Sequence, residues 1–350
     1  MSGPLVRVAF LNVGQADTIV ISVPEAREAV VVDCVDAGAV FEYLSHEKVE
    51  VVRALVITHL HADHYRQAAA LLDNCEGETG ARWERLILYT VPEREIALRL
   101  YDDHSEHDPH LWPSFASWML RNSSRVSSPN NSPELPIDGL LRQRITFVYP
   151  APALLPFARS AGFNNTSIVL RVDGQGTSAL LTGDLEPAGW KLLKERSGNC
   201  GMARADVLKF PHHGAWKEQN GAAADAQGFL EDTGAKAVVI SVGTEQRNYS
   251  HPDASVFSAI RGRNLGLLCT QATKQCGGQD VMRLRSPVVR ELLAQAGASG
   301  APGLVCSTGC PCAGTVVIDL GEHVEFIRPD ALRHRDHIVR TAFLNHQCAV

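Results

Sequence analysis

The chain has 350 residues, 45% of them hydrophobic, so it is long and apolar enough to form a large buried core in one or two domains. Its formal net charge of −6 weakens, without excluding, the case for nucleic-acid binding, because proteins that neutralise phosphates usually carry an excess of basic residues. The longest apolar runs have the length of strands, far below the ~20 residues of a membrane-spanning helix.

The first part of the chain predicts strands that are followed by alternating helices and strands. Runs rich in Val and Ile, separated by turn residues, predict strands at residues 6–13, 18–23, 29–33, 54–58 and 85–90. Helical patterns occur at residues 40–46, 63–74 and 92–102. This alternation indicates an α/β protein.

Residues 102–139 interrupt the alternation. This segment contains five prolines, many Ser and Asn residues, and the histidines His104, His107 and His110. Such a composition predicts a long loop with one short helix at residues 114–121, and long loops in compact domains often act as lids or binding loops. The segment is therefore a candidate lid, and its histidines are either simply exposed or close to a metal site.

The second part of the chain repeats the alternation. Strands are predicted at residues 167–172, 178–182, 206–210 and 237–242, and helices at residues 187–195, 223–231 and 253–261. Gly174-Gln175-Gly176 predicts a hairpin turn between the first two of these strands. Two β-rich halves with covering helices predict a four-layer αββα sandwich whose functional residues lie on loops at one edge of the packed sheets.

The strongest functional signal is Thr58-His59-Leu60-His61-Ala62-Asp63-His64, directly after an apolar, strand-like run. Imidazole nitrogens and carboxylate oxygens suit Zn²⁺, Mn²⁺ or Fe. His59 and His61 are expected to project together from an extended turn. Asp63 and His64 should point toward a neighbouring position, so the spacing predicts two adjacent metal ions. The alternative is a polar turn whose histidines cluster without binding a metal.

One segment before this run and four after it occur in a characteristic order. They are Phe10-Leu11-Asn12-Val13-Gly14-Gln15-Ala16-Asp17-Thr18, Asn164-Asn165-Thr166-Ser167, Leu181-Thr182-Gly183-Asp184-Leu185-Glu186, Lys209-Phe210-Pro211-His212-His213-Gly214, and Ser241-Val242-Gly243 ahead of His251-Pro252. Together with residues 58–64 they resemble the metallo-β-lactamase fold family, and within it the ComEC-like branch, the hydrolase domain of a competence DNA-uptake channel. The resemblance covers roughly residues 5–270. It implies a hydrolase with the αββα fold, and the strand-length apolar runs indicate, unlike the channel protein, a free-standing, soluble relative.

The resemblance also implies a site for two divalent ions, Zn or Mn. His59 and His61 would hold the first ion. Asp63 and His64 would hold the second, and the Asp184 carboxylate would bridge the two. A water shared by two cations about 3.5–4 Å apart loses a proton near neutral pH, and the hydroxide can attack phosphorus in line.

Three further histidines are expected at this site. His251 matches the last ligand position of the fold and is assigned to the second ion. Of His212 and His213, one completes the coordination and the other acts as a general acid toward the leaving oxygen, with their assignment left open. Asp63, His212 and His213 are thus the expected catalytic residues, and a histidine hydrogen-bonded within the loop is the alternative for either member of the pair.

Other polar residues are expected beside the ligands. Asp33 ends an early strand and, by the resemblance, supports the ligand loop through hydrogen bonds. Asn164 and Asn165 stand where many members of the fold carry a metal-binding histidine, and their amides are expected to orient a substrate phosphate. Lys209 either contacts phosphate or is a solvated or ion-paired lysine. Asp17 is expected only to cap a turn.

The C-terminal part is rich in cysteine. An odd total of nine cysteines argues for thiols or a metal site over disulfides. A structural zinc site, free thiols and a redox disulfide are the alternatives for Cys269, Cys276, Cys306, Cys310 and Cys312. We expect a hydrolase domain at residues 1–270, a Cys-rich insertion at 271–313, and closing strands (315–320 and 324–328) with a tail at 314–350.

The leading hypothesis is a metal-dependent phosphodiesterase, in particular a nuclease whose partner is DNA or RNA. A small-molecule phosphoesterase that resembles phosphorylcholine esterases is the rival enzyme, and a metal-bearing regulatory module with little turnover is the non-enzymatic alternative. A nuclease should have a basic groove that leads to the site, whereas the esterase should have a closed pocket. Residues 1–8 lack the pattern of a secretory signal, which predicts a cytoplasmic location.

Overall fold

A computed structural model describes residues 5–88, 110–129, 134–196, 200–218, 220–244, 251–271, 273 and 313–328. In chain order its strands are β1 (Val6–Phe10), β2 (Ile19–Val23), β3 (Glu28–Val32), β4 (Val51–Val56), β5 (Arg82–Ile87), β6 (Val126–Ser127), β7 (Ile145–Tyr149), β8 (Val169–Asp173), β9 (Ser178–Leu181), β10 (Val207–Lys209), β11 (Ala237–Ile240), β12 (Gly266–Cys269), β13 (Val316–Leu320) and β14 (Val324–Arg328). They form two sheets, one of eight strands and one of six.

The eight-stranded sheet has the order β14-β13-β1-β2-β3-β4-β5-β6. Strands β1, β2 and β3 pair antiparallel, and β3, β4, β5 and β6 pair parallel. β13 pairs antiparallel with β1, with Val316 opposite Phe10. The C-terminal hairpin thus extends the same sheet as the N-terminal strands, at the positions where the sequence predicts closing strands.

The six-stranded sheet has the order β12-β11-β10-β9-β8-β7. Strands β9 to β12 are parallel to one another, whereas β7, β8 and β9 pair antiparallel. The β8–β9 connection contains Gly174-Gln175-Gly176, so the predicted hairpin turn is present.

Helices cover the outer face of each sheet. They are α1 (Ala37–His46), α2 (Ala62–Tyr65), α3 (Ala68–Thr79), α4 (Leu111–Arg121), α5 (Leu155–Ser160), α6 (Pro187–Arg196), α7 (Ala226–Thr233) and α8 (Ala254–Gly262). Side chains of α1, α3 and α4 pack on the eight-stranded sheet, and those of α5 to α8 pack on the six-stranded sheet. The predicted four-layer αββα sandwich is therefore confirmed.

The central core lies between the two sheets. Strand β2 illustrates the packing: Ile19, Ile21 and Val23 belong to the inter-sheet core, and Val20 belongs to the core beneath the outer helices. Successive side chains of a strand point to opposite faces, so a strand covered on both sides is largely apolar, and Ser22 is the one polar residue of β2. Full burial of each such side chain contributes about 1.5–3 kcal/mol to stability.

Several elements differ from the sequence predictions. The single helix predicted at residues 63–74 is divided into α2 and α3, because Gln67 N donates to Cys34 O and thereby leaves the helical hydrogen-bond pattern. Strands β7 and β12 and helix α5 were not among the predicted elements. Helix α4 begins three residues earlier than expected. The helix predicted at residues 92–102 lies outside the described residues.

The loops that carry polar residues meet at one edge of the sandwich. β4 belongs to the parallel part of one sheet, and β9, β10 and β11 belong to that of the other. The carboxyl ends of neighbouring parallel strands lie at the same edge of a sheet, where ligands commonly bind. A hydrogen bond of 2.9 Å from Ile168 N to Thr58 O joins the two sheets at this edge.

Candidate functional site

The loop after β4 is held by Asp33. The carboxylate of Asp33 accepts hydrogen bonds from Thr58 N and Thr58 Oγ1, both at 2.7 Å, and its Oδ2 lies 2.7 Å from His64 Nδ1. Asp33 has a φ of +58°, in the left-handed region that non-glycine residues seldom adopt. Because Nδ1 is used in this contact, His64 presents Nε2 to the interior of the site.

Four side chains converge at this edge: Asp63, His64, Asp184 and His213. One ligand atom from each lies within 4.8 Å of the others. Asp184 Oδ2 is 3.4 Å from His64 Nε2 and 3.5 Å from His213 Nε2. Asp63 Oδ2 is also 3.5 Å from His213 Nε2. His64, Asp184 and His213 are buried, whereas the side chain of Asp63 is partly exposed.

The donor atoms of this group fit a divalent cation. Within the described residues, His64 Nε2 and His213 Nε2 are buried and make no hydrogen bond. Buried polar atoms are normally satisfied, so unpaired nitrogens that face carboxylates need an explanation. Two atoms that each lie about 2.0–2.2 Å from one zinc ion are roughly 3–4 Å apart, which matches the spacing of these atoms.

Electrostatics also fit this interpretation. Burial alone would lower the pKa of His64, but the carboxylates of Asp184 and Asp33 raise it well above its ordinary value. The pKa of His213 is raised in the same way, mainly by Asp184. Burial would raise the pKa of Asp184, yet His213 and His64 hold it well below its usual range. The two carboxylates of the group thus attract positive charge, either protons on the imidazoles or a metal ion.

Glycine at position 183 brings Asp184 into this group. Gly183 follows β9 and has a φ of +52°, and a Cβ there would lie 3.0 Å from Ser167 Cβ and 3.1 Å from Thr58 Cβ. Ser167 Oγ in turn accepts a hydrogen bond of 3.0 Å from Asp184 N. The positive φ and the short distances to these two neighbouring side chains therefore both favour glycine at position 183.

His59 and His61 form a pair beside the group of four. His59 Nε2 lies 3.0 Å from His61 Nδ1, and the rings of His59 and His64 have centroids 4.1 Å apart. Burial, with the neighbouring His64 and His61, lowers the pKa of His59 well below its ordinary value. His59 is therefore kept neutral, the state in which imidazole binds metals.

The structure distinguishes the two histidines after β10. His213 is buried, and its Nδ1 lies 2.9 Å from Ser241 O, so Nε2 faces the carboxylates. His212 is partly exposed, with Nδ1 3.6 Å from Glu186 Oε1 and Nε2 4.0 Å from Asp184 Oδ2. Both have a left-handed φ, +48° for His212 and +52° for His213.

An open cavity of about 400 Å³ lies next to His212. Its lining includes Glu186, Lys217, Glu218 and His251. The rings of His212 and His251 have centroids 5.7 Å apart, and burial lowers the pKa of His251 to about 4. His213 belongs to the group of four, and His251 lines the adjacent cavity.

The two asparagines have different environments. Asn165 is fully buried, and its side chain donates to Ala161 O and Glu186 Oε2 while its Oδ1 accepts from Gly189 N near the start of α6. Asn164 donates to Glu186 Oε1 at 2.9 Å and lies 3.5 Å from the His212 ring nitrogens. The side-chain amide of Asn165 is therefore engaged in hydrogen bonds inside the protein, whereas Asn164 lies nearer to the cavity.

Lys209 is completely buried at the end of β10. It forms an ion pair with Asp17, donates to Gly183 O at 2.7 Å, and lies 3.5 Å from Asp184 Oδ1. These contacts favour the ion-paired alternative over a solvated or phosphate-binding lysine. Asp17, expected only to cap a turn, is also buried and binds the Lys209 ammonium.

Other predicted residues lie away from the site or outside the described part of the chain. Cys269 ends β12 and packs in the core beneath α5 to α8. Cys276, Cys306, Cys310 and Cys312 fall outside the described residues, as do His104 and His107. His110 is exposed immediately before α4.

Sequence reasoning missed three contributors to the site: Asp17, Ser167 and Glu186. Ser167 Oγ lies 3.4 Å from His59 Nδ1, and Glu186 approaches His212. Each of the three lies in a segment that the sequence marks as characteristic, within a few positions of other polar residues. The sequence therefore marked the segments that contain these residues, but it gave no indication of what each residue contacts.

Comparison with known families identifies the fold. Residues 11–233, more than half of the chain, match the Metallo-beta-lactamase superfamily. The chain belongs to the metallo-beta-lactamase superfamily. This membership supports a metal-dependent hydrolase, and it agrees with the family resemblance inferred from the ligand motifs.

This superfamily member is similar to two longer proteins. It is 23% identical over 286 residues to ComE operon protein 3 of Bacillus subtilis (strain 168), an alignment that covers 75% of this chain and 31% of that protein. It is 31% identical over 128 residues to Competence protein ComA of Neisseria gonorrhoeae, covering 35% of this chain and 17% of that protein. The chain thus spans less than a third of the length of these relatives.

Among solved structures, it is similar to Igni18, a metallo hydrolase from Ignicoccus hospitalis KIN4/I. The sequence identity is 16%, the TM-score is 0.35, and the comparison covers 67% of this chain and 81% of Igni18.

None of the helices in the described ranges is long and apolar enough to span a membrane.

Proposed function

We propose that this superfamily member is a divalent-metal-dependent phosphodiesterase. The observation that supports the proposal is the group formed by Asp63, His64, Asp184 and His213. It combines two carboxylates with two imidazoles whose inward nitrogens have no hydrogen-bond partner among the described residues. Such a mixed N and O set suits Zn²⁺ or Mn²⁺.

We assign the group of four to one ion, and His59 with His61 to a second ion beside it. The centroid distance of 4.1 Å between the His59 and His64 rings supports two adjacent positions. When bound, two divalent ions supply an activated water nucleophile and neutralise the charge that develops on phosphorus. Asp33 and Ser241 O would fix the orientation of His64 and His213 through their Nδ1 atoms.

His212 is the residue that we assign as proton donor to the leaving oxygen. It is partly exposed, borders the cavity of about 400 Å³, and lies beside the group of four without belonging to it. Its Nδ1 approaches Glu186, so Nε2 is the nitrogen available for proton transfer. His213, by contrast, is buried and suited to bind metal.

A nucleic acid is the substrate class that we propose first, because one relative is named a competence protein and the motifs resemble the ComEC-like branch, the hydrolase domain of a DNA-uptake channel. A specific feature favours a second candidate, a small phosphoester. Among the described residues, the charged side chains that line the cavity beside His212 are those of Glu186, Glu218 and Lys217, a charge balance that does not attract a polyanion. A small ester would enter such a cavity at lower electrostatic cost.

A matched pair of aspartate variants tests the proposal. Asp184→Asn should lower hydrolysis of a chromogenic phosphodiester with Mn²⁺ by about 100-fold or more, because it removes a charged ligand from the group. Asp206→Asn is the control, since Asp206 pairs with Lys236 at the other end of β10. Full activity of purified, folded Asp184→Asn would contradict the proposed mechanism, as would an equal loss in the control.

A further inference from the structure

The ion pair between Asp17 and Lys209 lies directly behind the group of four. Both side chains are buried, Lys209 completely and Asp17 to within 1% exposure. Lys209 belongs to the six-stranded sheet, and Asp17 lies just before β2 of the eight-stranded sheet. The pair therefore joins the two sheets at the edge that carries the candidate metal ligands.

Lys209 contacts one of the two carboxylate oxygens of Asp184, and the imidazoles face the other. Its Nζ lies 3.5 Å from Asp184 Oδ1, whereas Asp184 Oδ2 faces His64 and His213 at 3.4 and 3.5 Å. Lys209 Nζ also donates to Gly183 O at 2.7 Å, so it contacts both the side chain of Asp184 and the backbone before it. The position and the rotation of this carboxylate are thus both restrained from one side.

Asp17 contacts the segment that carries Asp63, the second carboxylate of the group of four. Asp17 N lies 3.4 Å from Asp63 O and donates to it, while the Asp17 carboxylate holds the Lys209 ammonium. Through these two contacts, one buried pair touches the segment that carries Asp63 and the residue that carries Asp184. Neither Asp17 nor Lys209 belongs to the group of four itself.

We propose that Asp17 and Lys209 are positioning residues that hold Asp184 with Oδ2 toward the metal site and Oδ1 toward the Lys209 ammonium. The inference rests on the proposed metal-dependent function. It implies that Asp184 would offer one oxygen, Oδ2, to a metal ion held by the group of four, in contrast to the bridge between two ions expected from the sequence. Lys209 is too deeply buried to contact a substrate, so its effect is exerted through Asp184.

A second metal site at this place is not supported. Asp17, Asp33 and His64 also offer ligand atoms within 4.8 Å of one another. However, His64 Nδ1 is engaged with Asp33, and the Lys209 ammonium already supplies a cation to Asp17. A metal ion beside that ammonium would face like-charge repulsion at short range.

A buried ion pair such as this one also affects the stability of the fold. Buried ion pairs seldom stabilise a fold more than apolar residues of similar volume would, because both charges lose their hydration. Removing one partner alone leaves an unpaired buried charge and destabilises the protein. A test must therefore separate loss of stability from loss of positioning.

The test compares metal binding by Lys209→Met, Asp17→Asn and the double variant Asp17→Asn/Lys209→Met, using Co²⁺ as the probe. Titration gives the affinity, and the visible d–d spectrum of bound Co²⁺ reports its ligand geometry independently of hydrolysis. Melting of each metal-free variant gives its stability. Lys236→Met is the control, because Lys236 pairs with Asp206 at 2.8 Å on the same sheet but is exposed.

Lys209→Met should bind Co²⁺ about 10–100-fold more weakly, with an altered spectrum. The double variant, which contains no unpaired charge, should melt closer to the wild type yet bind Co²⁺ as weakly as Lys209→Met. An unchanged spectrum and affinity in Lys209→Met, or recovery of affinity together with stability in the double variant, would overturn the positioning role. If these variants change Co²⁺ binding but the wild type cleaves no phosphodiester, the proposed function fails and the positioning role stands.

Discussion

Asp33 Oδ2 lies 2.7 Å from Nδ1 of His64, and the same oxygen accepts a hydrogen bond of 2.7 Å from the Thr58 hydroxyl. One carboxylate thus fixes the start of the ligand loop and the orientation of its last histidine. Outer partners of this kind set both the tautomer and the basicity of a metal-binding imidazole.

Replacing Asp33 by Asn should therefore weaken metal binding without removing a direct ligand. The Asn amide is neutral and cannot accept from His64 Nδ1 and both Thr58 donors as a carboxylate does, so we expect affinity for Zn²⁺ or Mn²⁺ to fall by about 10–100-fold. Asp36→Asn is a close control, because Asp36 caps α1 through Ala39 N and Asn also caps helices well. Metal titration of both proteins measures the difference, and equal affinities would refute the role of Asp33.

A second prediction concerns the pair His59 and His61. His61→Ala should abolish hydrolysis of a generic phosphodiester and lower the bound metal, while the melting temperature of the metal-free protein stays close to that of the wild type. The reason is that His61 is only half-buried and adds little to the core. His46→Ala at the end of α1, where the side chain is largely exposed, is the control. Wild-type activity in His61→Ala would exclude a metal-binding role for this histidine.

The third prediction is a pH dependence of metal binding. The pKa values of His64 and His213 are raised above their ordinary value of 6.5. Burial lowers both pKa values, but the nearby carboxylates, mainly Asp184, raise them by more. The raised pKa values favour the protonated form of both imidazoles in the metal-free protein, and a metal ion must displace such protons. Affinity should keep increasing as the pH rises above 7, and calorimetry in buffers of different ionisation enthalpy should detect proton release.

The same shifts determine how the stability of the metal-free protein depends on pH. A group whose pKa is raised in the folded state makes its full contribution to stability at pH values below its unfolded-state pKa, near 6.5. This contribution is lost as the pH rises through the folded-state pKa. The free energy of unfolding contributed by His64 and His213 should therefore decrease toward alkaline pH without metal. Metal affinity that levelled off at or below pH 6.5 would contradict these shifts.

The ligand loop could be predicted from sequence because its information is local. His59, His61, Asp63 and His64 lie within six positions, directly after a run whose apolar residues predict a buried strand. The closing strands β13 and β14 also lie where the sequence predicted them, in short runs of neighbouring residues. Such signals depend on neighbours in the chain and need no knowledge of the fold.

The contacts behind the ligands could not be predicted in this way. Asp17 and Lys209 lie 192 positions apart and belong to different sheets, so their pairing depends on how the two halves of the sandwich pack. The split between α2 and α3 has a similar origin, since the bond from Gln67 N to Cys34 O is a tertiary contact. The different environments of His212 and His213 also became visible only in the folded structure, through burial and the acceptor at Ser241.

The last prediction concerns substrate class and salt. The chain carries a net charge of −6, so approach of a polyanion must overcome long-range repulsion, which dissolved ions and divalent metals screen. If the enzyme is a nuclease, cleavage depends on local phosphate contacts and should fall steeply as salt rises, whereas turnover of a small phosphodiester should change little. Single-stranded DNA, double-stranded DNA, RNA and a chromogenic diester, each with Mn²⁺ at two salt concentrations, provide the comparison. Turnover of the small ester alone under all conditions would reject the nuclease proposal and favour a small-molecule phosphoesterase that uses the cavity beside His212.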